Sequence, residues 1–273
     1  MSELHDLTTT RPIKRYSNGS FHSDEDPIVT EQPITIVLNG DEFATLVCSP
    51  EYIEDLTIGF LASEGVIRRY SDLSHLALDE QKGFIYAEVD QLNPYFAASH
   101  SKRYITSCCG KSRQGFYFWS DARTANVVAT HTAKLTADDC FRLMEALQAG
   151  SSTFRETGGV HNAALVDRAG NLIKTRTDIG RHNALDKLYG HALRHDLSME
   201  GVIVLLSGRL SSEMLLKVAK IGCEIVLTKS APTALALDLA DQLGITTVGF
   251  IRGRSLNVYT HPERIVDAMA HSL

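Results

Sequence analysis

The chain has 273 residues, 44% of them hydrophobic and 22% charged, with a formal net charge of −6. That length and apolar content suffice for one large or two smaller cores. The acidic balance excludes a general nucleic-acid binder, whose phosphate contacts need a basic surface, and no apolar run is long enough to span a bilayer. The first twenty residues lack the apolar core of a secretory signal, so a cytoplasmic protein is expected. Five cysteines, an odd number with no C-x-x-C pair, read as thiols in a reducing compartment and not as a zinc site.

Residues 1 to about 30 are polar, and the expectation is an extended arm with at most one short strand. Two β-rich runs then flank Asn39-Gly40, the dipeptide of a tight hairpin. Ser49-Pro50 is expected to supply an N-cap and an N1 proline. The helix behind it carries Ile53, Leu56, Phe60 and Leu61 on one face and ends near Gly65. Gly83 to Val89 and Gly115 to Trp119 read as strands. Residues 1–130 thus form an N-terminal α+β domain, with a cysteine-bearing loop at 105–115.

Residues 131–273 have a different pattern. Thr136 can cap a helix bearing Phe141, Met144 and Leu147, and a hairpin turns at Arg168 to Asn171. Asp178 is expected to cap the next helix. After it, the apolar runs "VIVLLS", "EIVLT" and "TTVGFI" alternate with amphipathic helices. Continuous apolar strands of this kind are parallel and buried on both faces. The fold class is therefore α/β, with a three-layer C-terminal domain and a smaller α+β domain before it.

In open α/β sheets ligands bind beyond the carboxyl ends of the strands. Three strand ends here carry cations and hydroxyls: Ser207 to Ser212, Thr228 to Thr233 and Arg252 to Ser255. The first two lead into helix N-termini, where free N–H groups and the dipole favour an anion. Together they imply a polyanion site for a nucleotide or pyrophosphate. The charge would come from Arg209, Lys229, Arg252 and Arg254, and Gly208 and Gly253 would let the backbone approach. Gly158-Gly159 and His161 are candidates for the same cleft, although a lone histidine in a strand is more often packed than catalytic; Asp178, Arg181 and His182 around a helix start read either as a cap plus a surface cation or as a contribution to that cleft.

The stretch "ITSCCGKSRQG" places Cys108 and Cys109 among Ser, Gly, Lys and Arg. A thiolate is the nucleophile, and nearby cations lower a thiol pKa. Lys111 and Arg113 supply that charge beside Cys109. Cys48, Cys140 and Cys223 sit in apolar contexts and read as small buried hydrophobes.

Several stretches in order, among them "RPIKRY", "PITIVLNG", "EDLTIGFLASEGVI", "TGGVHNAAL", "DIGRHNALDK", "SGRLSSEMLLKVAKIG" and "GFIRGRSLNVYTHPERI", resemble the FdhD family over about Arg11 to Ile265. The resemblance implies a cytoplasmic, homodimeric accessory sulfurtransferase that activates formate dehydrogenase, with a second domain similar to the cytidine deaminase fold. It implies that persulfide sulfur is taken from a cysteine desulfurase and passed to a molybdenum (or tungsten) bis(molybdopterin guanine dinucleotide) cofactor, bound as substrate. The family loop reads T-S-x-C-G-x-C-G with the first cysteine as carrier. Cys109 takes that place, and Ser112 stands where the second cysteine is usual, so Cys108 is the only neighbouring thiol. The family's cofactor-binding segment matches Phe250, Ile251, Arg252, Gly253, Arg254 and Ser255, to which strand-end chemistry adds Ser207, Gly208, Arg209 and Lys229. Zinc deaminases need H-x-E and P-C-x-x-C. The corresponding His161-Asn162-Ala163 and "SGRLSSEM" lack that set, so no metal is expected. Two alternatives are a chaperone that only binds and delivers the cofactor, and a dithiol redox protein, disfavoured by the strain of a vicinal disulfide.

Overall fold

The computed structural model describes residues 7–90, 103–105, 127–128 and 132–269. The amino-terminal arm is more regular than its polar composition suggests. Strands β1 (Thr8–Ser17) and β2 (Ser20–Val29) form a two-stranded antiparallel ribbon of ten residues each. The expectation of at most one short strand is therefore corrected. The cause is a second Asn-Gly turn: Asn18 and Gly19 both have positive φ, 52° and 86°, as a tight two-residue hairpin requires.

Strands β3 (Gln32–Leu38), β4 (Asp41–Cys48), β5 (Leu73–Asp79), β6 (Phe84–Val89) and β7 (Arg103–Ile105) form a sheet in the order β5-β6-β3-β4-β7. Asn39 and Gly40 make the expected β3–β4 turn, with φ of 50° and 88°. Ile34, Ile36 and Leu38 alternate along β3 and pack under helix α1 (Ile53–Ser63) with Leu56, Ile58 and Leu61. The expected single apolar face is only part of α1. Nearly every residue from Ile53 to Ser63 is buried, because the helix is covered on both sides. Its start also differs from expectation. Tyr52 precedes it in a left-handed conformation, and Ser49 caps nothing there. Tertiary partners take Ser49 instead: its N–H donates to Asp178 and its hydroxyl accepts from Ile179 N–H.

The second sheet holds β8 (His161–Val166), β9 (Leu172–Asp178), β10 (Ile203–Leu206), β11 (Ile225–Thr228), β12 (Thr246–Arg252) and β13 (Ser255–Thr260). Their order is β13-β12-β11-β10-β8-β9. β10, β11 and β12 are parallel, and the other pairings are antiparallel. The apolar strands feed both faces alternately. Leu165, Val204, Leu206 and Val226 meet helices α4 (Arg181–Arg194), α5 (Ser212–Ile221) and α6 (Ala234–Leu243). Val166, Ile203, Leu205 and Leu227 meet Cys140, Leu143, Met144 and Leu147 of α2 (Ala137–Ala149). Thr136 caps α2 as expected, accepting from Asp139 N–H. A short helix, α3 (Ser152–Thr157), and β13 complete the set. This is a mixed α/β fold with three layers around the second sheet.

The two sheets are joined through α1 and α4, which cross at glycines. A Cβ built on Gly59 would lie 1.8 Å from the Asp186 carbonyl oxygen, and one on Gly190 1.8 Å from that of Asp55. Buried charged pairs line the seam beside its apolar contacts. Lys187 Nζ meets Asp178 at 2.7 Å with both side chains at zero exposure, and donates to Ser49 O. Asp178 also accepts from Gly180 N–H and from the Asn183 side chain. Asp178 is therefore the buried partner of a lysine, and not the cap of α4; Gly180 holds the cap position with no side-chain bond. Arg176 pairs with Asp55 at 2.6 Å, and Arg194 with Glu54 at 2.6 Å.

Candidate functional site

Cys108, Cys109, Lys111 and Arg113 lie outside the described residues, as does the strand expected at 115–119. Gly158 ends the short helix α3 and Gly159 packs against Val29 of β2, but the strand-end candidates and His161 share one edge of the second sheet, and the topology explains why. β10, β11 and β12 run parallel, so Leu206, Thr228 and Arg252 end on the same side. β8 runs against β10, with Leu206 opposite Ala163, which brings His161 to that side as well.

The loops beyond these ends are laced to one another through backbone. Lys229 N–H donates to Leu206 O and Phe250 N–H to Ser230 O, both at 3.1 Å. Leu210 forms a bridge with Pro232. Most of the hydroxyls expected to meet an anion have internal duties. Ser207 Oγ accepts from Asn162 N–H at 2.9 Å. Thr228 Oγ1 donates to Gly208 O at 2.6 Å. Ser211 and Thr233 cap α5 and α6. What remains for a ligand is positive charge and backbone N–H.

That charge is held at the rim. Arg209 is exposed. Lys229 Nζ donates to Gln148 Oε1 at 2.7 Å, which steadies the ammonium without neutralising it. Arg252 Nε donates to Lys229 O at 3.3 Å, and its guanidinium lies 5.7 Å from the Phe250 ring centre. Arg254 pairs with Asp138 at 2.6 Å in full solvent, an arrangement of little energetic worth that a phosphate can displace. Arg252, Gly253, Arg254 and Ser255 make the tight β12–β13 turn, where Gly253 has φ of 54°. Phe250 itself has φ of 52° and a half-exposed ring, next to Gly249, which is pressed between Pro232 and Tyr259. A non-glycine residue held at positive φ stores strain, and such strain gathers at ligand sites. Ile251 points the other way, into the core, so only its backbone faces the edge.

On the β8 side, Gly208 sits against His161 and Arg181. A Cβ at Gly208 would lie 3.1 Å from His161 Nδ1 and 3.5 Å from Arg181 Cβ. Burial, then the Arg181 charge, pushes the His161 pKa down, which favours the neutral ring. His182 Nε2 lies 3.5 Å from Glu213 at the start of α5, and burial lowers its pKa too. The contacts of Gly208 with His161 and of Lys229 with Gln148 carry no local sequence signal, because each joins residues far apart in the chain. Among the described residues, no group of three or more His, Cys, Asp or Glu is placed to hold a metal ion, and no helix is long and apolar enough to cross a membrane.

Layered α/β architecture with cationic loops gathered beyond parallel strands places this chain among the open α/β-sheet proteins, in which the carboxyl edge is the usual place for a ligand. The FdhD/NarQ family model matches residues 29–266, and the chain belongs to that family. It is 56% identical over 263 residues to the sulfur carrier protein FdhD of Shouchella clausii strain KSM-K16, covering 95% of this chain and 97% of that one. It is 52% identical over 259 residues to the sulfur carrier protein FdhD of Bacillus subtilis strain 168, covering 95% and 98%. A crystal structure from Desulfotalea psychrophila, described provisionally as a formate dehydrogenase accessory protein, superposes with a TM-score of 0.77 at 25% identity. It covers 96% of this chain and all of that one.

Proposed function

We propose that this chain is a cytoplasmic sulfur carrier serving formate dehydrogenase, with Cys109 as the carrier. The Cys109 thiolate attacks the outer sulfur of a cysteine desulfurase persulfide. The donor sulfur–sulfur bond breaks, the desulfurase cysteine leaves as a thiolate, and Cys109 holds the persulfide. Lys111 and Arg113 would stabilise the anionic sulfur. The recipient is the molybdenum bis(molybdopterin guanine dinucleotide) cofactor, whose phosphates would dock on the strand-end loops before it enters formate dehydrogenase. Two copies in a homodimer would match the two nucleotide halves of that cofactor.

The observation that carries this reading is the gathering of Arg209, Lys229, Arg252 and Arg254 at the ends of three parallel strands, in a chain whose relatives are named sulfur carriers. The test is loading with a cysteine desulfurase and cysteine, followed by mass mapping. Wild type should gain one sulfur on Cys109, and Cys109→Ala should gain none and fail to activate formate dehydrogenase. Nucleotide binding without any sulfur gain would favour a chaperone that only delivers the cofactor.

A further inference from the structure

Two polar side chains at the sheet edge lack partners among the described residues. The His161 ring makes no hydrogen bond there, although it is half-buried. Arg181 has its Nε fully buried without a hydrogen-bond partner, and its guanidinium meets no carboxylate among the described residues. Most arginines of the seam nearby are paired, as Arg176 is with Asp55 and Arg194 with Glu54. A buried guanidinium Nε with no partner among the described residues, beside an imidazole with none there either, leaves hydrogen-bonding capacity that a ligand can complete.

The surroundings say what would. Arg181 opens α4, a 14-residue helix whose cap residue, Gly180, offers no side chain to the first-turn N–H groups. Gly208 brings bare backbone against the imidazole, and the space for a Cβ is filled by His161 and Arg181. An arginine, an imidazole, a helix N-terminus and a glycine backbone together match an oxyanion carrying more than one charge.

We propose that His161 and Arg181, with the Gly208 backbone and the first turn of α4, form a phosphate subsite at which anion binding is coupled to uptake of a proton by His161. The subsite rests on the nucleotide-binding reading above and extends it by two residues and one proton. The groups facing His161 are Arg181 and His182 from α4 and Asp178 from β9; the β10 loop presents only glycine backbone to the ring. Burial first, and then the Arg181 charge, hold the ring neutral, and Asp178, itself engaged by Lys187, acts against them. A phosphate bound beside Arg181 offsets that charge, and the imidazole gains a proton and a second N–H donor.

The experiment is titration calorimetry of the full-length protein at pH 7.5 in two buffers of different ionisation heat, with GDP, guanosine and inorganic phosphate as probes. Wild type should take up protons with GDP and with phosphate, but not with guanosine. His161→Gln should bind GDP more weakly and without the uptake, and Arg181→Gln should weaken GDP binding about tenfold, the scale of one charge-assisted hydrogen bond. GDP binding by wild type without uptake, or the same uptake in His161→Gln, would overturn the proposal while leaving the nucleotide site standing. His161-dependent uptake with phosphate but no binding of GDP would support the subsite and contradict the nucleotide reading.

Discussion

Gly59 and Gly190 are reciprocal: each lies where a side-chain carbon would strike the carbonyl oxygen of a residue one turn before the other. Helices α1 and α4 therefore touch backbone to backbone, which fixes how the first sheet sits on the second. Along the seam Arg176, Asp55, Lys187 and Asp178 are buried, while Arg194 and Glu54 stay at its exposed end. Gly59→Ala or Gly190→Ala must push the helices apart. Each substitution should cost about 3 kcal/mol, at the upper end for an overpacked core. The expected outcome is a large fall in the urea midpoint or loss of soluble protein, read by circular dichroism.

Lys187 and Asp178 are both fully buried, and Asp178 collects four donors from Ser49, Gly180, Asn183 and Lys187. Removing one partner leaves an uncompensated buried charge. Lys187→Met should destabilise by about 3–5 kcal/mol. The double variant Lys187→Met, Asp178→Asn should recover part of the loss, which a thermal melt of all three proteins would reveal.

The pH response follows from His191. Burial and the Arg176 charge push its pKa down to about 4 in the folded chain, against an ordinary value near 6.5. The unfolded state thus binds the proton more readily. The stability this contributes is full above about pH 6.5 and is lost as the pH falls toward 4. Burial pushes His161 and His182 down with the same sign. The melting temperature should fall between pH 7 and 5, and His191→Asn should flatten that slope. An unchanged slope would assign the response to the other two histidines.

Nucleotide binding should depend on the rim cations. Arg252→Ala and Arg209→Ala should each weaken GDP binding about tenfold, the worth of one hydrogen bond to a charged group. Arg254→Ala should matter less, because that guanidinium gives up an ion pair with Asp138 to bind. Equilibrium binding at two salt concentrations would check both, with a weaker salt dependence in the variants.

Much of this was legible in the sequence because local signals and burial agree. Asn39-Gly40 made its turn, Thr136 its cap, and the apolar runs of β10, β11 and β12 their parallel sheet. Asn18-Gly19 carried the same turn signal, but polar flanking strands concealed it. The misplaced caps share one cause. Ser49 and Asp178 have cap chemistry, yet long-range partners use it up: the Ser49 hydroxyl accepts from Ile179 N–H, and the Asp178 carboxylate takes Ser49 N–H and Lys187. At the site, the cations could be listed from the strand ends. That most of the hydroxyls beside them are internally bonded, and that His161 backs onto Gly208, depends on pairings between residues tens of positions apart.

Sulfur loading tests the central claim most directly. Cys48, Cys140 and Cys223 are buried, and burial pushes each thiol up to about 12, so none is a nucleophile at neutral pH. After incubation with a cysteine desulfurase and cysteine, peptide mapping of wild type, Cys108→Ala and Cys109→Ala should find the added sulfur on Cys109 alone. Cys108→Ala should load normally and Cys109→Ala not at all. Equal loading of Cys109→Ala, or sulfur on any of the three buried cysteines, would contradict the account.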